Sequence, residues 1–187
     1  MATNTKLKPW RQYAETDVIN MFAYSGAIPV TAGTVVKAVA SGWRPDETDS
    51  LVLGNVGVGF GNTVSTRWGT LPSVTDAGTG DNVLGILLYD VREQDENGLL
   101  YKFNPRKAVE NNHILSGQTV PILTKGFVLI SGVFNGPAPV AGGMAYPSGA
   151  GVITTNAVNQ QTGTSTVGRF YGAPSSDGFA LLRVNIS

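Results

Sequence analysis

The chain has 187 residues, a formal net charge of zero and only 14% charged side chains, against roughly 25% in an average soluble domain. The length fits one domain, and the balanced charge argues against broad nucleic-acid binding, which usually needs excess Lys and Arg. Zero Cys and a single His exclude disulfides, thiol catalysis and metal sites built from thiolates or several imidazoles. Without a long apolar run or an apolar N-terminal core, we expect neither a membrane span nor a signal peptide.

Helical periodicity is nearly absent from the sequence. Residues 13–24 (YAETDVINMFAY) have a passable amphipathic pattern, but Gly26 and Pro29 end it quickly. The same residues are equally compatible with an extended chain that contains one short turn. We therefore interpret residues 1–26 as an N-terminal arm that is extended or holds one short helix.

From residue 27 onward, short β-branched runs alternate with Gly, Pro, Asn and Asp, which is typical of strands and turns. This pattern predicts an all-β fold: an antiparallel β-sandwich or barrel of many short strands, with residues 27–187 as a single β domain and a Gly-rich insertion around 54–80. Asn97 and Gly98 lie between two apolar runs and predict a hairpin turn. The predicted strands are 34–40, 50–56, 62–68, 81–92, 99–103, 119–124, 126–133, 144–147, 151–155, 166–171 and 179–186.

A short pattern recurs three times along the chain. Each copy consists of a short apolar stretch, a turn at Gly33, Gly117 or Gly142, and a strand that begins one or two residues later. The irregular spacing excludes a solenoid and favours a recurring turn motif that connects the short strands of a barrel or sandwich.

Charge is distributed unevenly, because residues 111–187 contain only Lys125, Arg169, Asp177 and Arg183. A β segment with so few charges is poorly protected against edge-to-edge pairing. We expect a partner or further copies of the chain to cover much of it; the alternative is that this half forms the inner core of one sandwich.

The sequence contains no pattern that points to catalysis or a cofactor. His113 has no Gly-x-Ser-x-Gly nucleophile elbow to accompany it and is interpreted as a turn histidine. The acidic run from Glu93 begins like a calcium loop, but Asn104 stands where the bidentate Glu is needed, so a charged hairpin tip is favoured. The glycines of residues 54–61 lack the P-loop Lys and predict a flexible loop or strand.

The start of the chain combines basic and aromatic side chains: Lys6, Lys8, Trp10, Arg11 and Tyr13. Three positive charges are too few for single-stranded nucleic acid. Trp, Tyr and Arg are enriched at the energetic centres of protein interfaces, so these five residues are our candidate partner-binding residues. The alternative is a tail whose Trp10 folds back on its own domain.

Several stretches, taken in order, carry a resemblance to a known family. They are DVINMF from Asp17, IPVTAGTVV from Ile28, VLGILLYD from Val83, SGQTVPILTKGFVLI from Ser116, and GGMAYPSGAGVITT from Gly142, which leads to VGRFYGA and a closing LLRVNI. In the order and the residue composition of these stretches, residues 17–187 resemble the small capsid decoration, or cement, proteins of tailed bacteriophages.

The resemblance implies an all-β, often trimeric protein that binds the outer face of the expanded head and ties capsomers together without catalysis. It implies the major capsid protein and other copies of the chain as partners, a location on the virion surface after synthesis in the host cytoplasm, and no nucleic-acid or membrane contact.

Two other classes of function remain open at the level of sequence. A tail, collar or fibre module that binds carbohydrate could use Trp43, Trp68 and Tyr146 as a sugar platform. A glycan hydrolase would need a pair of carboxylates at a defined separation, for which turns or their flanks supply the candidates Asp46, Asp49, Asp76, Asp81 and Asp90.

Overall fold

The computed structural model describes residues 6–45, 70–115, 117–131, 134, 136–156 and 165–186. These residues confirm the prediction of a nearly all-β, mainly antiparallel fold. The strands are β1 (Lys6–Gln12), β2 (Val18–Tyr24), β3 (Val35–Pro45), β4 (Thr70–Asp76), β5 (Gly85–Leu87), β6 (Asp90–Val91), β7 (His113–Ile114), β8 (Thr119–Leu123), β9 (Lys125–Ser131), β10 (Met144–Ser148), β11 (Val152–Thr154), β12 (Gly168–Phe170) and β13 (Ala180–Asn185). One short α-helix, α1 (Pro105–Glu110), and three 3-10 turns, Glu15–Asp17, Tyr101–Phe103 and Gly149–Gly151, complete the described elements.

Five strands close into a barrel in the order β2-β4-β3-β5-β8. The pair β2–β4 is parallel, and the other neighbours are antiparallel. Because side chains alternate between the two faces of a strand, β2, β3, β5 and β8 each contribute to two separate clusters. One cluster holds buried side chains from all around the barrel: Tyr24, Val36, Val74, Leu87, Val120 and Ile122.

The remaining long strands form an open six-stranded sheet in the order β1-β9-β13-β12-β10-β11. Every neighbouring pair in this sheet is antiparallel. The inner face of the sheet packs against the outside of the barrel in one continuous core. That core joins Val35, Ile86 and Leu123 of the barrel to Val128, Ile130, Phe170, Leu182 and Val184 of the sheet.

The segment predicted as an N-terminal arm is part of the folded body wherever it is described. β1 is the edge strand of the open sheet, a 3-10 turn follows at Glu15–Asp17, and β2 is a barrel strand. The amphipathic pattern of 13–24 therefore does not form an α-helix. Residues 13–24 instead follow the alternative prediction, an extended chain with one short turn. β2 pairs with a barrel strand on each side, and this pairing stabilises the extended conformation.

The recurring glycine turns are confirmed. Gly33, Gly117 and Gly142 have φ angles of 95°, 88° and 82°, which glycine adopts at little cost. Each lies two residues before a strand, β3, β8 or β10 respectively.

Other predicted elements differ from those observed. The run 81–92 is not one strand but two, β5 and β6, because the chain bends between them. In place of the predicted strand 99–103, Leu100 forms a single bridge and Tyr101–Phe103 form a 3-10 turn. The helix α1 was not expected at all, although Asn104 as N-cap and Pro105 at the first position are a standard helix start. The last part of the predicted insertion, 70–76, is barrel strand β4. The predicted strands 50–56 and 62–68 lie outside the described residues.

Close packing between β5 and β8 gives a direct test of the barrel. A Cβ added at Gly85 would lie 2.7 Å from the carbonyl oxygen of Leu123 and against Ile122. We expect Gly85→Ala to lower the free energy of unfolding by about 1–3 kcal/mol. Gly149→Ala is the matched control, since nothing lies within 4 Å of its added Cβ. Urea denaturation of both variants checks this, and equal stabilities would contradict the described barrel.

Candidate functional site

Four of the five predicted partner-binding residues lie on β1, at one edge of the open sheet, and Tyr13 follows directly after it. β1 pairs with β9, and its register shifts between Leu7 and Arg11, where Pro9 interrupts the ladder. Proline and irregular register are typical of edge strands, because they hinder the addition of a further strand. Lys6 and Gln12 are exposed, and the structure assigns the backbones of Trp10 and Arg11 to β1 without describing their side chains.

Three side chains of this segment contact the protein's own body. Leu7 and Tyr13 pack against the shared core, and Tyr13 lies over Gly126 of β9, where no side chain separates the two strands. The ammonium of Lys8 lies 3.4 Å from the carboxylate of Asp177 and 4.3 Å from the centre of the Phe179 ring. Residues 6–13 are therefore a docked strand, and the role of Lys6, Lys8, Trp10, Arg11 and Tyr13 in binding a partner stays a prediction.

A second candidate surface lies on residues 95–112, which we call the excursion; it connects β6 and β7, the two strands of a separate parallel pair. Its first turn is held by Asp95, whose Oδ1 accepts hydrogen bonds from the backbone N–H groups of Asn97 and Leu99, both at 2.8 Å. Gln94 and Leu100 form a single antiparallel bridge, so the predicted hairpin at Asn97 and Gly98 is reduced to a tight turn.

Lys107 of α1 links this turn to the helix through contacts with two carboxylates. Its ammonium lies 2.7 Å from Asp95 Oδ2 and 2.9 Å from Glu96 Oε1. The hydrogen bond from Lys107, with those from the Leu99 and Asn97 N–H groups, lowers the pKa of Asp95 although burial opposes the shift. Both oxygens of Asp95 are thus engaged by protein donors, which supports the interpretation as a charged turn over that as a calcium loop.

The excursion has a small core of its own and an apolar outer surface. Tyr101 and Ala108 are each 1% exposed, and they pack with Leu115. In contrast, Leu99, Phe103 and Val109 are 68%, 78% and 75% exposed. We call these three residues the apolar ridge. Single exposed apolar residues are ordinary, but here three of them lie within eleven positions of one small unit.

His113 joins the excursion to the barrel, as part of β7 and not of a turn. Its Nδ1 lies 2.6 Å from the hydroxyl of Tyr101, and its Nε2 lies 3.7 Å from Asp90 Oδ2. Asp90 also accepts a hydrogen bond from the N–H of Ala32 at 2.8 Å and pairs with Arg92 at 3.0 Å. Burial lowers the pKa of His113, and the Asp90 carboxylate partly opposes that shift. This cluster ties β6, β7 and the excursion together.

A polar cavity of about 200 Å³ lies beside this cluster, between β1 and β7. Lys8, Tyr89, Asp90, Asn111 and His113 are among the residues that line it. Lys8 is paired with Asp177, and Asp90 with Arg92. The polar groups of the cavity are therefore largely engaged in holding the fold.

The carboxylates considered for catalysis have structural partners wherever they are described. Asp76 accepts a hydrogen bond from Tyr24, and Asp81 pairs with Lys37 at 2.7 Å and accepts one from the N–H of Gly78. Asp46 and Asp49 lie outside the described residues. Within the described ranges, the structure contains no group of three or more His, Cys, Asp or Glu side chains that could hold a metal ion.

The residues proposed for a sugar platform are only partly described. Tyr146 is half-buried in β10, Trp43 belongs to β3 without a described side chain, and Trp68 lies outside the described ranges. Among the helices that the structure describes, none has the length and apolar character to cross a membrane.

Comparison of this chain with models of known protein families gave no match, and a search of curated proteins gave none either.

The docking of β1 can be tested by two neighbouring substitutions. Tyr13→Ala removes a side chain that packs on the core, and we expect it to lower the free energy of unfolding by about 1–3 kcal/mol. Gln12→Ala is the control, because Gln12 is exposed, and its effect should stay within about 0.5 kcal/mol. Urea denaturation measures both, and equal effects would show that this segment does not pack as described.

The pH dependence of stability can be assigned to one residue, because the chain has a single His. With the pKa of folded His113 below the unfolded value of about 6.5, the unfolded chain binds more protons in that range. The stability that depends on this residue is therefore fully present well above pH 6.5 and declines as the pH falls through about 6.5. We expect His113→Gln to abolish this decline in urea denaturation. A decline of unchanged size in the variant would contradict the assignment.

Proposed function

We propose that this chain is a non-enzymatic structural protein of a tailed-phage particle that binds the outer surface of the expanded capsid and stabilises it. Its partners are the major capsid protein and further copies of itself, which form a homotrimer. The observation that carries the proposal is the apolar ridge of Leu99, Phe103 and Val109, displayed on an ordered unit of a charge-poor β protein.

The excursion presents the ridge in a fixed geometry. Tyr101 of the same unit is buried, Lys107 bridges the turn to α1, and the side-chain oxygen of Asn104 accepts a hydrogen bond from the Lys107 N–H at the start of the helix. A preformed surface loses less conformational entropy on binding than a loop that must first become ordered. Complete burial of a side chain of this size contributes roughly 1.5–3 kcal/mol of hydrophobic free energy before the costs of association.

The charged groups around the ridge favour a protein partner. Lys107 is paired with Asp95 and Glu96, and Arg106 is paired with Glu110 at 2.9 Å. Paired charges reduce the cost of bringing a partner surface close. The remaining cation of the excursion, Lys102, has its ammonium 5.1 Å from the centre of the Phe103 ring. A central apolar group with a polar rim is the usual arrangement of a protein interface.

A symmetric shell increases the effect of each modest contact. Once one subunit of a trimer is bound, the next subunit contacts the capsid as an effectively intramolecular event. Individually weak ridges are therefore sufficient for retention on a head. The basic and aromatic residues of β1 provide a second proposed contact, made through side chains, because Pro9 and the register shift discourage strand addition at that edge.

The proposal is tested by co-sedimentation of the purified protein with expanded heads of its phage, with unexpanded proheads as a control. We expect saturable binding to expanded heads only. The double variant Leu99→Ser/Phe103→Ser should bind at least about 30-fold more weakly, since each anchor is expected to contribute more than about 1 kcal/mol. Both side chains are exposed, so the variant should keep its stability within about 1 kcal/mol.

The matched control is Met21→Ser/Val140→Ser, which removes two large apolar side chains that are 62% and 61% exposed elsewhere on the body. It should bind as the unchanged protein does. Equal weakening by both double variants would contradict a specific ridge. Absence of binding to either kind of head, with co-sedimentation on purified tails, would favour the alternative of a tail, collar or fibre module.

A further inference from the structure

The outer face of the open sheet carries a row of side chains that runs across neighbouring strands. Backbone pairing places Arg169 of β12 directly opposite Arg183 of β13. Continuing outward, Arg169 is opposite Met144 of β10, and Arg183 is opposite Phe127 of β9. Both arginines are exposed, whereas their neighbours along each strand are buried in the shared core.

This row concentrates the few positive charges of residues 111–187. Residues 111–187 contain three cationic side chains, and the third, Lys125, is opposite Asn185 one step further along the same face. The only acid of that segment, Asp177, lies in the loop before β13 and pairs with Lys8. Within the described ranges, no carboxylate lies within 4 Å of Arg169, Arg183 or Lys125 to form an ion pair.

The two arginines face each other at a cost to the fold. Like charges on directly opposed residues of neighbouring strands destabilise a sheet. Arg183 is oriented by its own surroundings: its Nη1 donates to the Tyr171 hydroxyl at 3.4 Å, and its guanidinium carbon lies 5.9 Å from the centre of the Phe127 ring. Arg169 has neither an ion pair nor a side-chain hydrogen bond to any described residue.

A cavity of about 210 Å³ opens at this pair. It is lined by Met144, Thr166, Arg169, Tyr171, Arg183 and Asn185, none of which is acidic. The lining therefore offers two guanidinium groups, a phenol, a hydroxyl and an amide, all of which can donate hydrogen bonds. Its chemistry is that of a receptor for a negatively charged group with several acceptor oxygens.

We propose that Arg169 and Arg183, with Tyr171 and Asn185, form a binding site for an oxyanion that has at least two acceptor oxygens. A guanidinium presents parallel N–H donors that match the oxygens of a carboxylate or phosphate group. A bound anion also offsets the repulsion between the two arginines, so binding and folding stability are coupled. The site is separate from the apolar ridge and independent of the function proposed above.

The test is NMR titration of the arginine side-chain Nε–H signals with two probes, inorganic phosphate and a hexapeptide of glutamate. Sodium chloride at matched ionic strength is the reference. We expect saturable shifts of the Arg169 and Arg183 signals with at least one probe and not with chloride. Tighter binding of phosphate indicates a free anion as the natural ligand, and tighter binding of the peptide indicates an acidic segment of a protein.

Variants make the result specific to the pair. Arg169→Gln and Arg183→Gln should each weaken binding about tenfold or more, because each removes a charged donor. Lys102→Gln, an exposed cation on the excursion, should leave binding unchanged and serves as the matched control. Without added anion, Arg169→Gln should not lower the melting temperature, since it removes a repulsion.

Two outcomes would overturn the proposal. One is a response to phosphate and peptide that equals the response to chloride at the same ionic strength. The other is saturable binding that persists in Arg169→Gln/Arg183→Gln, which would place the anion elsewhere on the protein.

Discussion

Thr124 is the single residue between a strand of the barrel, β8, and a strand of the open sheet, β9. Its backbone N–H and its hydroxyl both donate to the carbonyl oxygen of Asp17, at 2.9 Å each, and its carbonyl oxygen accepts from the N–H of Ile186. The crossing between the two sheets is thus fixed where the start, the middle and the end of the chain meet. Because Leu123 and Val128 on either side of the crossing enter one core, the barrel and the sheet are mutually dependent. Neither can shift relative to the other without exposing buried apolar area, which costs roughly 25 cal/mol per Å².

This constraint determines which surfaces are available for binding. With one face of the sheet buried on the barrel, its outer face and the edge strand β1 are available, whereas the other edge strand, β11, is buried along its length. Pro9 hinders the addition of a further strand at the β1 edge. The outer face carries Arg169 and Arg183, which are directly opposite each other. The excursion connects the parallel strands β6 and β7, and the contact between His113 and Tyr101 anchors it at its base. The rigid body therefore presents two chemically different surfaces, one apolar and one cationic.

Local sequence signals predicted the fold class and the glycine turns, but they were insufficient where tertiary contacts decide. β-branched alternation between turn residues was enough to indicate strands, because that pattern fits a pleated surface with one buried face. The amphipathic pattern of residues 13–24 left a short helix and an extended chain equally open, because the pairing of β2 on two sides, which decides between them, is a tertiary contact. Asn104 and Pro105 did carry a local helix signal that could have located α1. The opposition of Arg169 and Arg183 depends on strand register, which no local pattern contains.

The central claim is that the apolar ridge docks on the outside of an expanded capsid. Cryo-electron microscopy of expanded heads saturated with the protein tests it most directly. The proposal predicts density for the β body on the outer surface of the shell, with Leu99, Phe103 and Val109 against the major capsid protein. Density in which the excursion points away from the shell, or density at the tail or collar and none on the capsid, would contradict it.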